Sequence, residues 1–157
     1  MLFYDEDWTN ACDLCFYSDA SDLAIGAVLQ SHWLYLPLND QQRAQPIAWR
    51  ELFAIVVACR TWGASLAGRK VIINCDNTVA IAAVNNGTSK SPCIMTLVQS
   101  LFYIAAAYNF DVRLTYIQSK SNVSADALSR LDIEKFKSLN PDASLRPTPP
   151  ITDCIYI

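Results

Sequence analysis

Two stretches, Cys15-Phe16-Tyr17-Ser18-Asp19-Ala20-Ser21 and Val71-Ile72-Ile73-Asn74-Cys75-Asp76-Asn77, decide how this chain is read. Each is a run of strand-forming residues that reaches an aspartate and then breaks. The end of an apolar strand has no packing use for an ionised side chain. Two such carboxylates suggest a shared task, and metal binding is the task that converging oxygen ligands serve best.

Around these stretches the pattern from Cys12 to Leu38 is strand-like. It divides into Cys15–Ser18, Ala24–Gln30 and Trp33–Leu38, with turns at Ser21-Asp22 and Ser31-His32, and so predicts an antiparallel meander of three strands. Asn39 to Pro46 is polar and reads as a loop. From Glu51 to Leu66 the residues Leu52, Ile55, Val56, Cys59, Trp62 and Leu66 recur at helical spacing, and Gly68 stands where a C-terminal cap belongs. Val71 to Ile73 is a short apolar run suited to a strand covered on both faces. A helix is predicted from Thr78 to Val84, ended by Asn86-Gly87, and a longer one begins at Ser91-Pro92, with Ser91 as N-cap and Pro92 in the first turn.

Val112, Leu114 and Tyr116 alternate with Arg113 and Thr115, which predicts a last strand. Asn122 is placed to cap a short helix through Leu128. Beyond Arg130 come a weakly amphipathic segment with Lys135 and Lys137 and a tail or linker marked by Pro141, Pro147, Pro149 and Pro150. A meander followed by alternating helices and strands implies an α/β fold, a mixed sheet with helices on its faces. The expected divisions are a lead-in over residues 1–11, the domain over 12–131, and a C-terminal helix with a proline-rich tail over 132–157.

Composition sets the outer limits. The 157 residues, 52% of them hydrophobic, can bury one substantial core. A net charge of −3 argues against nucleic-acid binding driven by bulk charge. The six cysteines lack the spacing of a disulfide framework and read as reduced thiols, hence an intracellular, reducing compartment. Cys12 and Cys15 form a CxxC, but on one strand they would point to opposite faces and could not share a zinc ion. The start of the chain lacks the basic and apolar regions of a signal peptide, and no run reaches membrane-spanning length.

On this scheme Asp19 ends the first strand, Glu51 opens the first long helix, Asp76 ends the fourth strand and Asp126 lies in the short last helix. Converged at one sheet edge, four acids without nitrogen or sulfur ligands nearby would repel one another unless a hard cation such as Mg²⁺ or Mn²⁺ were bound. Each also has a plain structural reading. Glu51 and Asp126 suit first helical turns, and Asp19 and Asp76 suit a turn and a helix cap. Arg50, Arg60, Arg69, Lys70, Lys90 and Arg113 make either a phosphate-facing patch or a solvated face, and Trp49 either touches a nucleotide or packs in the core.

The quoted residues resemble a family. Tyr17 to Ser21 with Gly26-Ala27-Val28-Leu29, then Trp49-Arg50-Glu51-Leu52-Phe53-Ala54-Ile55, then Cys75-Asp76-Asn77, and Asn122 to Arg130 ending in Ala-Asp-Ala-Leu-Ser-Arg, are similar to the ribonuclease H domain of retroelement polyproteins. The continuation from Leu131 to Pro150 is similar to retrotransposons of the DIRS type. The resemblance implies a five-stranded mixed sheet flanked by helices. It further implies endonucleolytic hydrolysis of the RNA strand of an RNA–DNA hybrid with two Mg²⁺ ions, leaving 5′-phosphate and 3′-hydroxyl ends. Asp19 would contact both ions, Asp126 would complete the nucleophile-side ion, and Glu51 and Asp76 the leaving-group-side ion. Ala20, Ser21, Asn77 and Thr78 occupy the places from which the family reads RNA 2′-hydroxyls.

Two departures from the family pattern stand out. The histidine that many members carry before the last acid is missing, Tyr116 stands near its place, and the single histidine, His32, falls in the predicted hairpin. Tyr116 has two open readings, one in the active site and one packed with Val112 and Leu114. The stretch between Val84 and Pro92 is too short for a basic extra helix and offers only Lys90, so grip on a hybrid is expected from a linked reverse transcriptase. An integrase- or transposase-like nuclease and a degenerate binding or spacer module remain as alternatives.

Overall fold

The computed structural model describes residues 14–153 and residue 155. The expected lead-in and the Cys12 half of the CxxC lie outside the described residues. Five strands form one mixed sheet: β1 (Phe16–Ala20), β2 (Ala24–Leu29), β3 (His32–Pro37), β4 (Lys70–Cys75) and β5 (Asp111–Tyr116), in the order β3-β2-β1-β4-β5. The first three make the predicted antiparallel meander, with Asp19 opposite Gly26, while β4 lies parallel to both β1 and β5. This parallel join sets the carboxyl ends of β1 and β4 side by side, and Asp19 and Asp76 are found there.

The helices are α1 (Asp40–Arg43), α2 (Ile47–Leu66), α3 (Thr78–Asn86), α4 (Pro92–Tyr108), α5 (Val123–Ser129) and α6 (Ile133–Leu139). The polar stretch from Asn39 to Pro46, expected as a loop, contains α1. Asn39 accepts from the Gln42 backbone N–H and the Gln42 side chain accepts from that of Asn39, a reciprocal cap that stabilises a single turn. Helix α2 begins a turn earlier than its apolar spacing suggested, so Glu51 sits in the second turn and α2 has no acidic residue in its first. The helix-dipole reading of Glu51 is thereby removed. Ser91 and Asn122 hold the N-cap positions expected of them, but neither side chain makes a cap bond.

The main core lies between one face of the sheet and α2, α3 and α4, and includes Phe16, Ile25, Leu34, Phe53, Ile55, Ile73, Leu101 and Leu114. Trp49 is buried there, stacked on Phe53 at 4.9 Å, so it is a packing residue. A second cluster of Val28, Trp33, Ala127, Leu128 and Phe136 seats α5 and α6 on the other face. Full burial of Leu128 alone is worth about 2 kcal/mol. After α6 the proline-rich segment runs beside the outer strand. Ser144 N–H donates to Ser31 O at 2.9 Å, Thr148 N–H to Trp33 O at 2.7 Å, and the Trp33 indole N–H to Ser144 O at 2.7 Å. The Thr148 bond occupies a backbone carbonyl of β3 that would otherwise belong to an open sheet edge.

Candidate metal centre and active site

Asp19 and Asp76 leave neighbouring strands, Glu51 projects from α2 beneath them, and Asp126 reaches in from α5. Asp19 and Glu51 are buried, at 5% and 3% exposure, whereas Asp76 and Asp126 are half-buried. Burial raises the Asp19 carboxyl to about 7; the charges of Asp76 and Asp126 add to the rise, and hydrogen bonds from Glu51 and the Ala20 backbone oppose it. Glu51 is raised further, again by burial first and then by the charges of Asp19 and Asp76. The four predicted acids thus meet electrostatically around Asp19.

Glu51 Oε2 is buried and meets no donor group. The hydrogen bond between Glu51 and Asp19 exists only while one proton is shared by the two carboxyls. The pair therefore calls for one positive charge, a proton or a cation, and this donor set fits a divalent metal ion.

Side chains that sequence reasoning passed over hold the acids in place. Ser129 Oγ lies 3.2 Å from Asp19 Oδ2 and 2.8 Å from Asp126 O, and it can donate its one proton to either. Ser119, in a 3₁₀ turn after β5, donates to Asp76 Oδ2 at 2.7 Å. Arg130 Nε donates to Asp126 Oδ1 at 3.0 Å, one turn further along α5. Asn122 Nδ2 donates to Ser18 O at 2.8 Å, tying the start of α5 to β1. Ser129, Arg130 and Asn122 fall inside the motif quoted above, so their signal was present, whereas Ser119 carried none.

The expectation of no sulfur near the acids is corrected. The carboxyls of Glu51 and Asp76 and the Cys75 sulfur have ligand atoms all within 4.8 Å of one another. Cys75 ends β4 with its side chain on the core face, as do Val71 and Ile73, and that face also receives Glu51. The basic patch does not form as one surface. Arg50 is buried and donates to Ser21 O at 2.7 Å and Asp22 Oδ1 at 3.0 Å, while Arg60 engages Tyr108 and Asp153. Lys70 begins the strand whose far end carries Cys75, about 17 Å away at roughly 3.3 Å per residue.

Of the residues placed for RNA reading, Ala20 is buried, Thr78 is exposed, and Asn77 caps α3 by accepting from Ala80 N–H at 2.9 Å. Ser21 is engaged throughout: its N–H donates to Ala24 O, its carbonyl accepts from Arg50, and its hydroxyl donates to Ser129 O. Tyr116 pairs with Cys75 across β4 and β5 and is 57% exposed. Its alternation with Leu114 therefore does not pack it inward: it stands exposed at the end of the edge strand β5. His32 is exposed at the start of β3, as expected of a hairpin residue.

A pH dependence follows. A carboxyl raised in the folded state adds stability below its unfolded value of 3.8 and loses it as pH climbs through the folded value of about 7. Glu51 acts in the same direction. Without divalent cations the protein should lose stability, on the order of a few kcal/mol, as pH rises from about 4 to about 7. Saturating Mg²⁺ should flatten that slope. Denaturant titrations across this range, with and without the cation, check it, and a metal-free profile that rises towards neutrality contradicts the assignment.

Comparison with known proteins agrees with this architecture. The family described as RNase H-like domain found in reverse transcriptase matches residues 11–102. The retrovirus-related Pol polyprotein from transposon 297 of Drosophila melanogaster is 33% identical over 123 residues, which cover 75% of this chain and 11% of that polyprotein. The chain thus spans about a tenth of that relative's length. Among solved structures, LC11-RNase H1 in complex with RNA/DNA hybrid aligns at a TM-score of 0.60 with 17% identity, over 76% of this chain and 96% of that one. RNase H1 from the halophilic archaeon Halobacterium salinarum aligns at 0.51 with 16% identity, over 76% and 96%. At such identities the likeness is one of fold, and the fold is that of ribonuclease H. Among the described residues no helix is long and apolar enough to cross a membrane. With more than half its length matched and a polyprotein relative at one-third identity, the chain belongs to the RNase H-like domains found in reverse transcriptase.

Proposed function

We propose that this domain is a metal-dependent endonuclease that hydrolyses the RNA strand of RNA–DNA hybrids, as part of, or derived from, a retrotransposon reverse transcriptase. The observation that carries the proposal is the Asp19–Glu51 pair, buried, desolvated, and flanked by Asp76 and Asp126 at the open end of the sheet. Two Mg²⁺ ions, with Mn²⁺ as substitute, suit the four carboxylates of Asp19, Glu51, Asp76 and Asp126. Asp19 would contact both ions, Asp126 would complete the nucleophile side, and Glu51 and Asp76 the leaving-group side. When bound, such ions lower the pKa of an attacking water and stabilise the departing oxygen.

The chain's own contribution is placement. Strands β1 and β4 fix Asp19 and Asp76 on rigid backbone, and Arg130 restrains Asp126. Preference for RNA would come from contacts to the 2′-hydroxyl at the rim formed by Ala20, Ser21, Asn77 and Thr78. Because the Ser21 groups and the Asn77 side-chain oxygen are already bonded internally, the exposed Thr78 is the better candidate for side-chain contact. The loop between α3 and α4 spans residues 87–91 and carries only Lys90, which supports reliance on a linked polymerase domain for grip.

A labelled hybrid, assayed beside duplex DNA of the same sequence, tests the function. Cleavage confined to the RNA strand is expected with Mg²⁺ or Mn²⁺, none with Ca²⁺, and none in excess EDTA. Hydrolysis that survives EDTA overturns the metal mechanism. A protein that binds hybrid but cleaves nothing under every cation favours a binding module.

A further inference from the structure

We propose that Glu51, Cys75 and Asp76 form a mixed sulfur–oxygen site that takes a thiophilic divalent ion of the zinc group in competition with the hard ions the carboxylates would otherwise hold. The proposal rests on the acid cluster being a cation site and does not depend on hydrolysis of a hybrid. Three observations carry it.

First, the three donors are mutually close, all within 4.8 Å. Tetrahedral zinc with one sulfur and two oxygen ligands sets them about 3.5 Å apart, so closing on an ion needs an adjustment of about 1 Å, within reach of side-chain rotation. Second, Glu51 Oε2 is buried without a donor group, an acceptor already desolvated and lacking a positive partner. Third, the Cys75 sulfur accepts from the Asn77 backbone N–H at 3.5 Å, at the N-terminal end of α3. Burial and the neighbouring Glu51 push the Cys75 thiol up to about 12, a rise that the Asn77 N–H opposes without overcoming, so the sulfur would lose its proton only to a bound cation.

The chemistry balances simply. The sulfur–metal bond forms as the S–H bond breaks, and the proton passes to solvent. Soft sulfur favours Zn²⁺ or Cd²⁺ over Mg²⁺, which prefers oxygen ligands. Because Glu51 and Asp76 would serve both kinds of ion, a bound thiophilic ion would displace the hard one and block whatever activity depends on it.

Cd²⁺ added to the full, metal-free chain is the probe, followed by the ultraviolet charge-transfer absorption of a cadmium–thiolate bond. The band is expected in the unmodified protein, lost in Cys75→Ser and kept in a Cys12→Ser, Cys15→Ser double variant. Glu51→Gln should weaken Cd²⁺ binding by about tenfold or more while the band persists at saturation. Added Mg²⁺ should raise the Cd²⁺ concentration needed. A band undiminished in Cys75→Ser overturns the proposal. If Cys75→Ser fails to fold, an unchanged Cd²⁺ affinity in Glu51→Gln overturns it equally. An absorption readout keeps this result separate from hybrid cleavage, so either reading can fail alone.

Discussion

Asp76→Asn should abolish hydrolysis of a hybrid, with a loss of about a thousandfold or more, while leaving the fold intact. The exchange keeps side-chain volume, and the remaining carbonyl oxygen can still accept from the Ser119 hydroxyl that now meets Asp76 Oδ2 at 2.7 Å. What disappears is one negative charge. That charge raises both Asp19 and Glu51, so its removal relieves repulsion within the buried pair. Without metal, the thermal midpoint of the variant should equal or exceed that of the unmodified protein. With Mg²⁺ the order should reverse, because the unmodified site gains more from binding the ion. Paired thermal melts and cleavage rates check both halves. Full activity in the variant would return Asp76 to the role of a helix-flanking residue.

Gly26→Ala should be the most damaging single-methyl change near the site. A Cβ there would lie 2.5 Å from Leu128 Cβ and 2.9 Å from both Ala125 O and Ser129 N. Two of those atoms are backbone, so no rotamer change relieves the clash and α5 itself must shift. Overpacking of this kind costs about 1–3 kcal/mol. The loss of activity should be larger than stability alone predicts, about a hundredfold, because α5 carries Asp126 and Ser129 and a displacement near 1 Å has that effect on catalysis. Gly68→Ala is the control. Its φ of +76° makes alanine strained by about 1–2 kcal/mol, but nothing lies within 4 Å of the added carbon. A comparable stability loss with unchanged cleavage is expected at Gly68. Unchanged cleavage in Gly26→Ala would show that α5 need not be seated so closely for the site to work.

The two changes probe different levels of the same design. Asp76 acts through charge at the end of a strand, and its place is fixed by backbone pairing within a few residues. Gly26 acts through close approach, and its importance depends on a helix about a hundred residues later in the chain. Tyr116 illustrates the limits of local pattern in another way: alternation put it with Val112 and Leu114, but at the end of the edge strand β5 it is 57% exposed while they are buried.

By itself the sequence determined the strand-and-helix order apart from α1, the antiparallel meander, and the positions of Asp19, Asp76 and Asp126 at or near element ends, because alternation, helical spacing and strand-breaking aspartates are local properties of the chain. Resemblance of Ala-Asp-Ala-Leu-Ser-Arg and its companions to ribonuclease H domains then named the family. Only the tertiary structure decided that Cys75 lies among the acids, that Arg50 is spent on the Ser21-Asp22 turn rather than on phosphate, and that Ser119 reaches Asp76. It also decided that the stretch beyond α6 runs along β3. Each of these depends on contacts between residues far apart in sequence, where burial and side-chain direction are set by packing of the whole domain and leave no periodic trace along the chain.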